Sequence, residues 1–174
     1  EVEGKTPNKH DKFYLTVEPL SDGIYKAVKS GDIPSGRIKK KDNEIINTLV
    51  GLGVGNKEAL KFKHFYKGNA FVDGTRGIVQ IGEIIELILD GFEQVMDGGP
   101  LAREPCAKVL VTLNDCKLHE DSIHRGPAQV YPAVRDAIRD AMVNGIAVIF
   151  EPIQVLQIEG LVDHMGAISK LIAN

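Results

Sequence analysis

The 174-residue chain has no tryptophan, and its six phenylalanines and four tyrosines make up only 6% of it. That scarcity counts against a free-standing single-stranded RNA binder, which needs an aromatic platform for the bases. Two cysteines, Cys106 and Cys116, are too few to staple a domain this large, and no CxxC offers a zinc pattern. They read as reduced, buried or half-buried thiols of a cytosolic protein. No apolar run approaches the roughly twenty residues that cross a bilayer, and no signal-peptide pattern opens the chain. A phosphate loop of the form GxxxxGK(S/T) is also missing. Gly51-Leu-Gly-Val-Gly55 is not the GxGxxG of a dinucleotide fold and reads as a helix-ending turn. Finally, there is no excess of positive charge. A net charge of −3 and a pI near 6.0 exclude a whole basic face but leave room for a local basic patch.

What is present is a globular composition, 43% hydrophobic and 26% charged. Residues 1–12 are polar and rich in turn formers. Phe13–Val17 reads as a strand, Ser21–Ser30 as a short helix ended by Gly31, and Arg37–Lys41 as a solvated basic loop. Ile45, Ile46, Leu49 and Val50 share one face of a helix over Asp42–Leu52. Ala70–Asp73 is a weak strand before a turn at Gly74–Gly77. The clearest helix is Gly82–Asp97, where Ile84, Ile85, Ile88, Leu89, Phe92 and Met96 form one stripe. Its Glu83, Glu86, Asp90 and Glu93 are read as facing out. Gly98-Gly99-Pro100 stops that helix, and Ala107–Leu113 follows as a mid-sheet strand. A second long helix spans Pro127–Asn144, with Pro127 in the first turn, where proline is welcome. Ile153–Ile158 then reads as a strand and Leu161–Ala173 as a helix. Glu1 stands where a methionine would, and Ile172–Asn174 carries no helix stop, so a piece of a longer protein is expected. The expected architecture is α/β (α+β), helices on one face of a small mixed sheet.

The chemistry concentrates in Leu118-His-Glu-Asp-Ser-Ile-His-Arg-Gly-Pro-Ala-Gln129. His124 and Arg125 stand immediately before Gly126-Pro127 and so beside a helix N-terminus, a cationic probe suited to phosphate. His119 and His124 are five residues apart rather than the four of HExxH, and Gly126-Pro127 marks the segment as loop. Ser122 and Cys116 lack the glycines of a nucleophile elbow. Asp115, Glu120 and Asp121 offer an acid/base set, although three acids in an exposed loop usually only solvate it. A small metal- or acid/base-dependent hydrolase using His119, Glu120 and His124 therefore stays as the alternative.

Thr6-Pro-Asn-Lys-His-Asp11, Phe71-Val-Asp-Gly-Thr-Arg-Gly77, Gly99-Pro-Leu-Ala102, Leu118–Gln129 and Glu151-Pro-Ile-Gln154 together carry a family resemblance. On these motifs the chain resembles the fourth domain of the archaeal elongation factor 2 family of ribosomal translocases, with the start of the fifth domain attached. Of the five, Leu118–Gln129 is the specific one. The family's first loop usually reads Ser-Pro-Asn-Lys-His-Asn. Here Thr6 and Asp11 replace its ends, and Asp11 lowers the positive charge there. Proline rather than glycine after Gly126 points to an archaeal source.

The resemblance implies residues 1–150 as domain IV and 151–174 as a truncated start of domain V. It implies a two-layer sandwich like the second domain of ribosomal protein S5, with a mixed four-stranded sheet, followed by a βα unit of a ferredoxin-like domain. It implies a ribosome-engaging arm that meets tRNA and mRNA at the decoding site and serves every codon without reading sequence. His124 would be the acceptor for diphthamide, and so a substrate for diphthamide-synthesis enzymes and ADP-ribosylating toxins. Pro7, Asn8, Lys9, His10, His119, Glu120, Asp121, Arg125 and Gly126 would form the RNA-contacting tip. No catalytic, metal or cofactor residue is expected in this piece. GTP and magnesium would belong to the GTPase domain of the full-length factor. The expected setting is the cytoplasm, with no membrane contact and a monomeric fragment.

Overall fold

Strand-forming residues meet helix-forming ones here in an order that only a crossover can satisfy. In the computed structural model, which describes residues 1–38, 42–78, 80–151 and 153–173, six strands form one mixed sheet. They are β1 (Val2–Lys5), β2 (Lys12–Pro19), β3 (Gly36–Arg37), β4 (Phe62–Tyr66), β5 (Asn69–Asp73) and β6 (Val109–Lys117), in spatial order β1-β2-β6-β5-β4-β3. The neighbours are antiparallel except β5 and β6, which run parallel with Asp73 opposite Leu113. A parallel pair cannot be joined by a hairpin. The helix α4 (Ile81–Asp97) makes the crossover.

The four-stranded sheet expected from the resemblance is thus corrected to six. β1 was hidden because Val-Glu-Gly-Lys has one apolar residue. It forms as a short, charged edge strand, paired Val2 to Leu15 through Lys5 to Lys12. Gly4 is required there, since a Cβ would lie 2.4 Å from the Ala133 carbonyl oxygen on α5 (Pro127–Asn144). β4 was hidden because it is covered on both sides and shows no clean alternation. It turns into β5 through Lys67 (φ 48°) and Gly68 (φ 82°), a two-residue hairpin with both residues left-handed.

The helix expectations fare better because their caps are local. Ser21 accepts from the Ile24 amide ahead of α1 (Asp22–Ser30), and Asp42 accepts from Glu44 and Ile45 ahead of α2 (Asn43–Gly51). A four-residue helix α3 (Asn56–Ala59) was not anticipated. On one face of the sheet, Phe13, Leu15, Phe71, Val111 and Leu113 pack against Ile88, Phe92 and Val95 of α4 and Val130, Val134 and Ile138 of α5. The two long helices therefore share a face, as expected. The short helices do not join them. Ile24, Val28, Ile46 and Leu49 of α1 and α2 pack with Ala70 and Val72, which flank Phe71 on β5 and so lie on the opposite face, and with their cross-strand partners Phe65 and Phe62.

The acidic stripe of α4 also departs from expectation, because it grips basic and polar groups instead of only facing water. Arg37 pairs with Glu86, Asp90 and, at 3.2 Å, Glu93. His64, 2% exposed on β4, sets Nε2 2.8 Å from Glu93, and Tyr131 of α5 donates to Asp90 at 3.0 Å. Arg37 is accordingly a clamp rather than part of a solvated loop, while Lys39–Lys41 lie outside the described residues.

Beyond α5 the expected strand Ile153–Ile158 does not form. Ile153, Val155 and Leu156 are 95%, 98% and 78% exposed and join no ladder. Apolar content alone cannot hold a strand whose backbone groups have no neighbour to pair with. The helix α6 (Met165–Ile172) follows a 3-10 turn, shorter than the predicted Leu161–Ala173.

Gly4→Ala should cost about 1–3 kcal/mol, because the edge strand must shift away from α5. Denaturant unfolding of the two forms, read as a change in midpoint at constant slope, checks this.

Candidate functional site

The sheet register decides which loops meet. β2 begins at Lys12 opposite Lys117, where β6 ends, so the β1–β2 turn (6–11) and the β6–α5 loop (118–126) leave the same end of the sheet. There they are stitched together. The Asn8 side-chain amide donates to the His124 carbonyl at 3.0 Å, and the Asn8 backbone N–H donates to Gln129 Oε1 at 2.9 Å. From below, the His119 N–H donates to Asp11 Oδ1 at 2.8 Å.

Each loop is also braced internally. Thr6, buried, accepts the Asp11 N–H at 3.0 Å and donates its hydroxyl to Asn8 Oδ1 at 2.6 Å. The His10 N–H donates to the same Asn8 oxygen. In the second loop a 3-10 turn, Ser122–His124, is capped by Asp121, whose Oδ1 accepts the Ile123 N–H at 3.0 Å. The Asp121 N–H donates to His119 Nδ1 at 3.1 Å, which leaves the ring hydrogen of neutral His119 on Nε2.

Three imidazoles gather as a result. His10 and His124 have ring centroids 4.7 Å apart, His10 and His119 4.9 Å, and His119 and His124 4.9 Å, edge-on. His10 is exposed and the other two half-buried. The predicted residues Asn8, His10, His119, Asp121 and His124 are therefore brought together. Pro7, Lys9 and Glu120 lie exposed around them, and Gly126 caps α5. Lys9 adopts φ 64°, and its ammonium has no partner among the described residues.

Arg125 is placed differently from the exposed probe read in the sequence. It is 5% exposed, reaches Glu83 of α4 at 3.2 Å and the Glu120 carbonyl at 3.4 Å, and leaves Nε and Nη1 buried without partners among the described residues. It works as a post under the loop. Asp11 is likewise structural, fully buried with Oδ2 unpartnered. Sequence reasoning missed the roles of Thr6, Asp11, Glu83 and Gln129. A signal for the last was available, since a glutamine three residues past a helix cap is placed to reach back to a backbone N–H.

The nucleophile and acid/base readings find no geometry to act through. Burial, reinforced by Asp115, Asp73 and Asp11, pushes the Cys116 thiol up to about 12, far from a usable thiolate. Ser122 is exposed with no base against its hydroxyl, and the Glu120 carboxylate bonds neither His119 nor His124. Among the described residues no group of three or more His, Cys, Asp or Glu is spaced to hold a metal ion. What this arrangement does offer is a polar tip braced by hydrogen bonds, with three imidazole rings and the Lys9 ammonium, which is unpaired among the described residues.

Residues 35–145 match the family model described as elongation factor G, domain IV. The chain is 48% identical over 169 residues to elongation factor 2 of Thermococcus kodakarensis, covering 97% of this chain and 23% of that protein. It is equally similar, at 48%, to elongation factor 2 of Nanoarchaeum equitans over 175 residues and of Pyrococcus furiosus over 172. Those matches cover 98% and 99% of this chain and 24% and 23% of the two relatives. The chain thus spans about a quarter of the length of the curated relatives it matches.

Asp11→Asn keeps an acceptor for the His119 N–H while removing a buried charge, so it should hold or raise the melting temperature. Asp11→Ala, which orphans that donor, should lose about 1–3 kcal/mol. Asn8→Ala should cost about 0.5–1.5 kcal/mol and speed amide exchange through residues 119–125, read by hydrogen–deuterium exchange, with α4 unaffected.

Proposed function

Because this chain belongs to the elongation factor G domain IV family, we propose that it is the ribosome-engaging arm of an archaeal translocation factor. Residues 1–150 are domain IV and 151–174 the opening of domain V. The exposed apolar side chains of Ile149, Phe150, Ile153, Val155, Leu156 and Leu161 support that division, since such surface suits burial against further chain. In this reading the tip enters the decoding site beside the mRNA–tRNA duplex as the tRNAs advance one codon. GTP and magnesium act in a separate GTPase domain of the full-length cytoplasmic factor.

One observation carries the reading: two loops from distant parts of the chain are hydrogen-bonded into a single tip bearing His10, His119 and His124. An arm that moves RNA must meet it without sequence preference, through backbone and 2′-hydroxyl contacts. Imidazoles and amides supply donors and acceptors for those groups, and Lys9 supplies a phosphate contact. His124 is the diphthamide acceptor. Its carbonyl is tied to Asn8 and its ring rests on His10, so the modified side chain starts from a fixed base. Diphthamide adds a trimethylammonium and a carboxamide, a permanent charge and a hydrogen-bonding end that plain histidine lacks. It also makes the tip a target for ADP-ribosylating toxins.

Protein from native archaeal cells should carry the diphthamide mass on the peptide containing His124, and bacterially produced protein should carry plain histidine. An unmodified native peptide sinks the assignment. The isolated chain should neither bind nor hydrolyse GTP; tight binding in equilibrium dialysis would remove the division of labour.

A further inference from the structure

Three loops, rather than two, leave the sheet at the end that carries the histidines. β5 runs parallel to β6, so the chain leaving Asp73 departs in the same direction as the chain leaving Lys117. The turn that follows β5 has a fixed shape. Asp73 Oδ1 accepts the Thr75 N–H at 3.1 Å and the Thr75 hydroxyl at 2.6 Å. Gly74 donates to the Leu113 carbonyl at 2.8 Å, lying flush against β6, where a Cβ would come within 3.0 Å of that oxygen. The same segment runs into α4, whose Glu83 holds Arg125 of the histidine loop. This third turn therefore flanks the base of the tip.

Its Arg76 is exposed and makes no ion pair or side-chain hydrogen bond among the described residues. Lys117 lies past Leu113 by the three β2 steps from Leu15 to Lys12, about 10 Å further along the strand direction, and is exposed and likewise without an ion pair among the described residues. Asp73, the acid nearest Arg76 in sequence, commits one oxygen to its own turn. Lys5 and Lys12 at this end are paired with Glu3, and Arg125 is buried, so among the described residues the exposed cations here without an ion pair are Lys9, Arg76 and Lys117.

We propose that Arg76 and Lys117 form a second cationic contact for an RNA phosphate backbone, set back from the histidine tip, and that Arg125 takes no part in it. The inference rests on the tip's being an RNA-engaging surface. A guanidinium free of internal partners has its full fork of donors available to a phosphate, and such contacts position a protein without reading bases. Placed on a turn tied to both β6 and α4, the charge is held at a fixed offset from the histidines. Lys9 at the apex and this pair at the flank would hold the arm against an RNA strand at two places, fixing its angle as well as its depth.

The test uses the full-length factor and archaeal ribosomes, with affinity measured across a salt series. Arg76→Gln and Lys117→Gln should each weaken binding and make the slope of log K against log salt shallower by about 0.7–0.9. Arg76→Lys should restore the slope, and all three variants should melt at the wild-type temperature. If Lys9→Gln alone changes affinity and slope, the second contact does not exist and the tip reading stands. If none of the three glutamine variants changes binding, the RNA-engaging reading of the tip fails as well. A hydroxyl-radical probe tethered at Arg76→Cys should cleave ribosomal RNA locally. A slope change without cleavage would place Arg76 against protein and overturn the RNA assignment.

Discussion

The histidine-bearing end of this domain depends on a few hydrogen bonds between chain segments more than a hundred residues apart. Asn8 to His124, Asn8 to Gln129 and His119 to Asp11 make one object out of two loops that, separately, would be solvated turns. They are possible only because the sheet order puts β2 beside β6 in antiparallel register, so that a turn preceding one strand meets a loop following the other. Long-range pairing of this kind demands that the body fold before the tip exists. The tip is therefore a consequence of the core.

The second requirement is that the tip not lean. The acidic face of α4 answers it along its length. Glu83 takes Arg125 under the histidine loop, and further along Glu86, Asp90 and Glu93 take Arg37, Tyr131 and His64. One helix is thereby tied to the tip loop, to the edge strand β3, to its neighbour β4 and to α5. Exposed ion pairs contribute little individually. A row of them on a helix already packed through Ile88, Phe92 and Val95 acts to fix direction rather than to add stability.

Local signals made the helices readable in the sequence. Ser21, Asp42 and Pro127 mark starts, and the stripe from Ile84 to Met96 marks a buried face. The strands were readable only where they alternate or run apolar, as Phe13–Val17 and Ala107–Leu113 do. β1 and β4 escaped because their stability comes from neighbours: Gly4 fits under α5, and Phe65 faces helices that a one-dimensional pattern cannot place. Ile153–Ile158 erred in the opposite sense, having strand-like content without a partner. At the tip, the motif in Leu118–Gln129 drew attention to His124, but counting charges could not show that Arg125 turns inward or that His10 completes a ring cluster. Burial is a property of the fold, and a cation means different things inside and outside it.

Lys9 shows how that distinction bears on function. Its backbone sits at φ 64°, a conformation that costs an ordinary L residue about 1 kcal/mol and glycine almost nothing. The position could be served by glycine if shape were the whole requirement. Its N–H closes the turn onto the Thr6 carbonyl at 2.8 Å, a bond that any residue but proline could make, and its ammonium has no partner among the described residues. The side chain accordingly contributes nothing visible to the fold while its backbone bears a strain. The proposed RNA contact would give that side chain the role the fold does not. At the apex of a braced loop, beside three imidazoles, the Lys9 ammonium stands where the proposed phosphate contact would need it.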